Sequence, residues 1–308
     1  MKYYTPSQKG SGSNNALKGA KGVLSMKRSQ NMKKKLESDW YCIGYAFRRF
    51  ICFLAYILCY VTIRTPRNTW CSSDSPINKN LFFIYFSESP LPVVIRDNIQ
   101  WMSSRNQSWN VKVFDEPEAI RYLRQKSWVL CKLFQKINPC YAAARADFLR
   151  YVILYYEGGI YLDVKCRLDI QLDELVLEDR LMATHWPRHA GSIHNGWGLH
   201  PEISNPKGEF INSVIISPRG NFILKHVLLS VCLNIILYNR CFYDVGKKGV
   251  LRTTGPLIYS MILERYSVRK IREFSFDELS FTYSIFDGLE HKKIFKKHYS
   301  ELNEPIVL

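Results

Sequence analysis

The sequence predicts an α/β fold with a mostly parallel central sheet and added helices. Three observations carry this reading. Residues 80–86 (NLFFIYF) are an apolar run of strand length, and Asn110–Phe114 (NVKVF) alternates as a half-buried strand does. Residues 141–157 have the length and apolar content of a buried helix, stopped by Gly158 and Gly159 and followed at once by a short apolar run at 160–164. Helical segments fill the gaps, so the order is strand, helix, strand, helix, helix, strand. Sheets of this kind bind ligands at the carboxyl ends of their strands, and Asp163 falls at one such end.

Taken in order, residues 1–49 are rich in Ser, Gly, Asn and Lys and predict a basic disordered tail. Residues 50–63 (FICFLAYILCYVTI) contain no charge, with Arg48 and Arg49 before them and Arg64 and Arg67 after. The run is shorter than the roughly 20 residues a bilayer-spanning helix needs. It also lies too far along the chain, and lacks the small-residue exit, for a cleavable signal peptide. Two readings stand: a short signal anchor with the basic tail held on the cytoplasmic side, or a buried or interfacial helix. The first implies a type II protein with a lumenal, Golgi-like catalytic domain; the second leaves the chain cytoplasmic. Residues 64–79, with Pro66, Pro76 and several Ser, form a linker, and 80–308 the main domain. Pro90 and Pro92 close the first strand, Val93–Arg105 has helical spacing, and Asp115 with Glu118 three positions on predicts a capping box for helices that fill 116–137.

The net charge of +16 invites a nucleic-acid reading. Its distribution argues against one. Residues 1–49 hold eleven basic side chains against two acidic ones, more than half of the excess, and no nucleic-acid motif is present. The mild positive balance that remains suits an enzyme that binds a diphosphate. Nine Cys occur without a CxxC pair, so neither a zinc site nor a disulfide framework is legible.

Chemistry concentrates in residues 141–166 (YAAARADFLRYVILYYEGGIYLDVKC). Asp147 and Arg150 are three apart and share a helix face. On spacing alone they are an ordinary intrahelical ion pair. Around them run Ala142, Ala143, Ala144, Ala146, Phe148, Leu149 and Val152, so the helix is apolar nearly all round, and a buried pair needs further partners. A polyhydroxyl ligand supplies such partners. Gly158 and Gly159 either admit a ligand close to the backbone or merely stop the helix. Tyr161 and Asp163 alternate along the strand and so face one side. A carboxylate directly after an apolar run is costly unless it has a task.

Ala144, Asp147, Arg150, Tyr151, Gly158, Gly159, Tyr161 and Asp163 together resemble the sugar-binding region of glycosyltransferase family 32, the family that includes the yeast initiating α-1,6-mannosyltransferase. Weaker similarity covers about 79–270, through the turn at 89–92, the segment 209–224 with Asn212, and Thr254-Gly255-Pro256. The resemblance implies a GT-A, single Rossmann-like domain, a UDP- or GDP-linked sugar donor, a glycan or glycoprotein acceptor, and transfer with retention. It implies that Asp147 and Arg150 hold the donor sugar, with Ala144, Gly158, Gly159 and Asn212 around it. Tyr161 then lines the nucleotide side, and Asp163 contacts ribose, sugar or metal.

One position departs from the family pattern. The second acidic residue, expected to ligate Mn2+ or Mg2+, is Lys165 here. Three readings follow: Lys165 supplies the metal's positive charge and transfer is metal-independent; Asp169 or a C-terminal His (His291, His298) supplies the missing ligand; or the chain is a catalytically inactive sugar-nucleotide-binding module. His185, His189, His194 and His200 fit no zinc spacing and predict a flexible, Trp-containing loop over the acceptor site. Asn106-Gln107-Ser108 is a glycosylation sequon.

Overall fold

The computed structural model describes residues 54, 57, 59–61, 63, 77–175, 178–189, 192–266, 269–286 and 299–308. The predicted tail, the linker up to residue 76, His291 and His298 lie outside the described residues.

The sheet has six strands: β1 (Asn80–Ile84), β2 (Asn110–Phe114), β3 (Gly159–Leu162), β5 (Leu181–Ala183), β6 (Val214–Ser217) and β7 (Ile271–Glu273), in the order β2-β1-β3-β6-β5-β7. β1 pairs in parallel with β2 and β3, and β5 with β7, while β6 is antiparallel to both its neighbours. Five strands therefore run one way, the mostly parallel α/β arrangement that the sequence predicts. A small ribbon pairs β4 (Arg167–Leu168) with β8 (Phe281–Thr282).

Both faces of the sheet are covered, which explains why its strands read as unbroken apolar runs. Alternate residues serve two cores. Phe82, Ile84 and Tyr161 pack into one, with α4 (Ala142–Glu157) and α5 (Phe222–Ile236); Leu81, Phe83, Ile160 and Leu162 pack into the other, with α1 (Val93–Arg105). Helix α4 is buried from Ala144 to Tyr156 except at Ala146, so the sequence's reading of a helix apolar all round holds. The region 116–137 is two helices, α2 (Glu116–Lys126) and α3 (Trp128–Lys136). Asp115 caps the first through a 2.8 Å bond from the Glu118 N–H, and Ser127 caps the second.

Within 50–63, the described Cys59 and Ile63 are buried in the core that holds α5, whereas Leu54, Ile57, Tyr60 and Val61 are exposed. Among the described residues no helix is long and apolar enough to cross a membrane. Asn106 is buried, donates to the Met102 carbonyl and accepts from the Leu172 N–H, so its amide is committed to the fold and closed to a glycan.

Candidate active site

Four chain segments converge at the carboxyl end of β3. Helix α4 brings Asp147 and Arg150 from its first nine residues. β3 delivers Tyr161 and then Asp163, whose N–H bonds the Ser213 carbonyl at 2.8 Å. The stretch before β6 contributes Asn212. The turn between α7 (Gly246–Thr253) and α8 (Pro256–Leu263) contributes Thr254.

Arg150 joins them. Its Nη2 lies 3.1 Å from Asp147 Oδ1 and 3.3 Å from Asp163 Oδ1, its Nη1 donates to the Asn212 carbonyl, and its guanidinium stacks 4.4 Å over the Tyr161 ring. Asn212 Nδ2 donates to Asp147 Oδ1 (3.0 Å) and to the Tyr151 hydroxyl (3.1 Å), and Thr254 Oγ1 donates to Asp147 Oδ2 (3.1 Å). Tyr161 Oη donates to Asp163 Oδ1 at 2.6 Å. Burial pushes the Asp147 carboxyl up to about 6, against the pull of Arg150, and the nearby Asp163 charge adds to the rise. Burial alone lowers the Arg150 pKa, but Tyr161 and the two carboxylates outweigh it and lock the guanidinium in its charged form.

This geometry revises several residue roles. The partners that sequence reasoning assigned to a ligand come instead from Asn212 and Thr254. The side chains of Arg150 and Asp147 are only 5% and 7% exposed, whereas that of Asp163 is 24% exposed. Asp163 is thus the reachable carboxylate, and the buried pair lies behind it. Ala144 is core packing. Gly158 and Gly159 lie at the amino end of β3, roughly 13 Å of strand from Asp163 at about 3.3 Å per residue. Both adopt positive φ (67° and 113°), and a Cβ there would come within 2.5 Å of the Arg219 nitrogen or 2.4 Å of the Asn80 carbonyl oxygen. Both allow the chain to pass closely here, at the opposite end of β3 from Asp163.

Beyond Asp163 the chain turns at 163–166, and three contacts pin that turn. Asn98 of α1 donates to the Cys166 carbonyl (2.9 Å), the Ile285 N–H bonds the Lys165 carbonyl (2.8 Å), and the Cys166 N–H returns to the Asp163 carbonyl (2.8 Å). Lys165 Nζ donates to the Tyr283 hydroxyl at 2.7 Å and lies 4.1 Å from that ring's centre. Burial pulls the ammonium pKa down, but Tyr283 and the Asp163 charge more than reverse this, so Lys165 stays protonated.

The described residues do not fit a resident divalent cation: no three of their carboxylate, imidazole or thiol groups converge. Asp163 already faces Arg150, and the residue two positions on, where the family pattern has its second acidic residue, is a lysine. Asp169, the alternative ligand, is half exposed, 3.7 Å from Arg105, with its N–H on the Ser280 carbonyl beside the β4–β8 ribbon.

Described residues of the histidine stretch, expected to form a flexible loop, are joined by hydrogen bonds. The buried Glu209 carboxylate accepts from Trp186 Nε1 (2.9 Å) and meets His200 Nε2 (3.0 Å), while Arg188 donates to the carbonyls of Lys207 and Trp197. His185 Nδ1 lies 3.0 Å from the Glu209 carbonyl, and burial lowers its pKa. Trp186, His194, Trp197 and Tyr283 form one ring cluster, with Trp186 4.7 Å from Tyr283 and 5.0 Å from Trp197. Sequence reasoning missed Tyr283 as a site residue, since it stands 118 positions from Lys165 with no local pattern around it. It also left Thr254 out of the site, although the Thr-Gly-Pro turn was visible.

The family model for the glycosyltransferase sugar-binding region containing a DXD motif matches residues 92–182, a span that holds Asp147, Arg150, Asp163 and Lys165. This supports sugar transfer in general. Among solved structures, the PaToxG glycosyltransferase superposes with a TM-score of 0.45 at 20% identity, covering 71% of this chain and 80% of its own. The UDP-bound glycosyltransferase domain from the YGT toxin superposes with a TM-score of 0.46 at 9% identity, covering 69% and 84%. Its ligand-free form gives 0.43 at 9% identity, covering 68% and 82%. No curated protein matches the chain.

Proposed function

We propose that this chain transfers a sugar from a UDP- or GDP-linked donor to a glycan or protein acceptor, with retention of configuration, and that Lys165 replaces the divalent cation. The observation that carries the reading is a partly exposed carboxylate, Asp163, followed two residues on by a protonated lysine, Lys165, bonded to Tyr283, at the carboxyl end of a parallel strand. Breaking a glycosyl–phosphate bond leaves negative charge on the departing diphosphate. A fixed cation at that position stabilises it with little reorganisation as charge develops. An ammonium donates to phosphate oxygens from three protons, of which Tyr283 accepts one. Asp163, held by Tyr161 and Arg150, accepts from a ribose or sugar hydroxyl, and the buried Asp147–Arg150–Asn212 network keeps that carboxylate in place.

The deciding experiment is donor hydrolysis screened across UDP- and GDP-sugars, with EDTA and with added Mn2+. Turnover that persists in EDTA and disappears in Lys165→Ala is expected. Turnover abolished by EDTA and restored by Mn2+ removes the metal-independent reading. Lys165 also favours a second reading, an inactive binding module of the same fold. Binding of UDP or GDP without hydrolysis of any donor establishes that one.

A further inference from the structure

Trp197 is the least economical residue of the site region. It stands 47% exposed, while its neighbour Trp186 is 7% exposed and locked by Glu209. An exposed indole on a loose loop has no special meaning. This one is held. Its N–H bonds the His194 carbonyl (3.0 Å), its carbonyl accepts from Arg188 Nη2 (2.8 Å), and it sits between Gly196 and Gly198, both at positive φ (84° and 68°). A Cβ at Gly198 would fall 2.5 Å from Trp186 Cδ1 and 2.6 Å from Glu209 Cγ, so the clamp requires glycine there. The rings of Trp186 (5.0 Å), His194 (5.0 Å) and Tyr283 (6.1 Å) meet Trp197 steeply, at 67° to 88°. The loop thus presents a large flat ring on a rigid base.

The position of that ring matters. Tyr283 touches Trp197 on one side and Lys165 on the other, 4.1 Å from ring centre to Nζ. The path from Lys165 to Trp197 therefore spans no more than the length of a disaccharide. The His194 imidazole meets the indole at 5.0 Å. An exposed flat ring with a hydrogen-bonding imidazole beside it suits a pyranose, which has an apolar C–H face and a hydroxylated edge.

We infer that Trp197, backed by Trp186, His194 and Tyr283, is the stacking platform for a saccharide acceptor whose reacting hydroxyl is directed toward Asp163 and Lys165. This rests on the sugar-transfer reading and narrows its acceptor to a glycan. The test is binding of the fluorescently labelled full chain to an array of neutral oligosaccharides, with the wild type, Trp197→Ala and Trp197→Phe in parallel and donor hydrolysis by the wild type measured beside it. Selective capture of a glycan class is expected, weakened at least about tenfold in Trp197→Ala and largely kept in Trp197→Phe, which retains a flat ring. Donor hydrolysis reads the donor site without the array, so a failed donor site and a failed platform give different patterns. An array that stays blank, or capture indifferent to Trp197→Ala, overturns the platform even if donor hydrolysis is intact. Transfer to a peptide acceptor with no glycan captured overturns it as well.

Discussion

Thr254 donates a 3.1 Å hydrogen bond to the buried Asp147 carboxylate from 107 positions further along the chain. That bond closes the network on its inner side, with Arg150 and Asn212 on the other oxygen. Thr254→Val keeps the shape and deletes the donor. A buried carboxylate left one partner short costs about 1–3 kcal/mol. Urea unfolding is expected to report a loss in that range. Catalysis is expected to lose mainly kcat, with the acid limb of its pH profile moved upward, because a less satisfied Asp147 takes up a proton more readily. A stability loss without movement of that limb limits Thr254 to a structural role.

Asp147 also makes stability depend on pH in a definite direction. Its carboxyl is raised from 3.8 to about 6 in the folded chain. The folded state therefore binds the proton more tightly than the unfolded state does. The contribution of this group is greatest below about pH 4 and is lost as pH rises toward 6. Asp147→Asn has no such proton. Comparing unfolding midpoints of wild type and variant from pH 4 to pH 7 should show the variant gaining on the wild type as pH rises. A difference that stays flat, or runs the other way, means that the Arg150 attraction outweighs burial.

Gly158 and Gly159 give a prediction that separates stability from chemistry. Gly158→Ala places a Cβ 2.5 Å from the Arg219 nitrogen at a φ of 67°, where both clash and backbone strain apply. The expected cost is about 1–3 kcal/mol from the conformation alone, with the clash in addition. Since these residues lie at the far end of β3 from Asp163, the folded fraction should bind UDP or GDP as the wild type does. Weakened nucleotide affinity at equal folded fraction, measured by calorimetry, returns the glycine pair to the donor site.

The glycines show where sequence reading reaches its limit. Helix α4, the strand after it, the caps at Asp115 and the face shared by Asp147 and Arg150 were legible because they follow from local periodicity and short-range hydrogen bonding. Asp163, Tyr161 and Asn212 were placed together through a recognisable pattern. What a buried pair bonds to is a long-range matter. Thr254 and Tyr283 arrive from 107 and 118 positions away, and spacing carries no trace of them. Without Thr254 and Asn212 in view, the Asp147–Arg150 pair looked open to a sugar. With them it is closed, and Asp163 is the reachable group. Likewise, a stretch dense in His, Gly and Trp reads as a loose loop until Glu209 is found between Trp186 and His200.

Lys165 offers the sharpest chemical test, because the turn that carries it is pinned independently of its side chain. Asn98 and Ile285 hold the backbone at Cys166 and Lys165 through main-chain atoms, so a substitution at 165 leaves the turn in place. Lys165→Ala removes the cation from beside the departing diphosphate and is expected to lower kcat by about 10²–10³, the usual effect of deleting one electrostatic stabiliser. Lys165→Asp puts a carboxylate across from Asp163. Two carboxylates at that spacing repel each other unless a cation sits between them, so this variant is expected to be inactive in EDTA and to regain turnover with Mn2+. The wild type, with its own ammonium there, is expected to ignore the same titration. Hydrolysis rates of wild type and both variants across a Mn2+ series therefore read out whether position 165 supplies the positive charge. Equal metal dependence in wild type and Lys165→Asp would show that the charge comes from elsewhere in the chain.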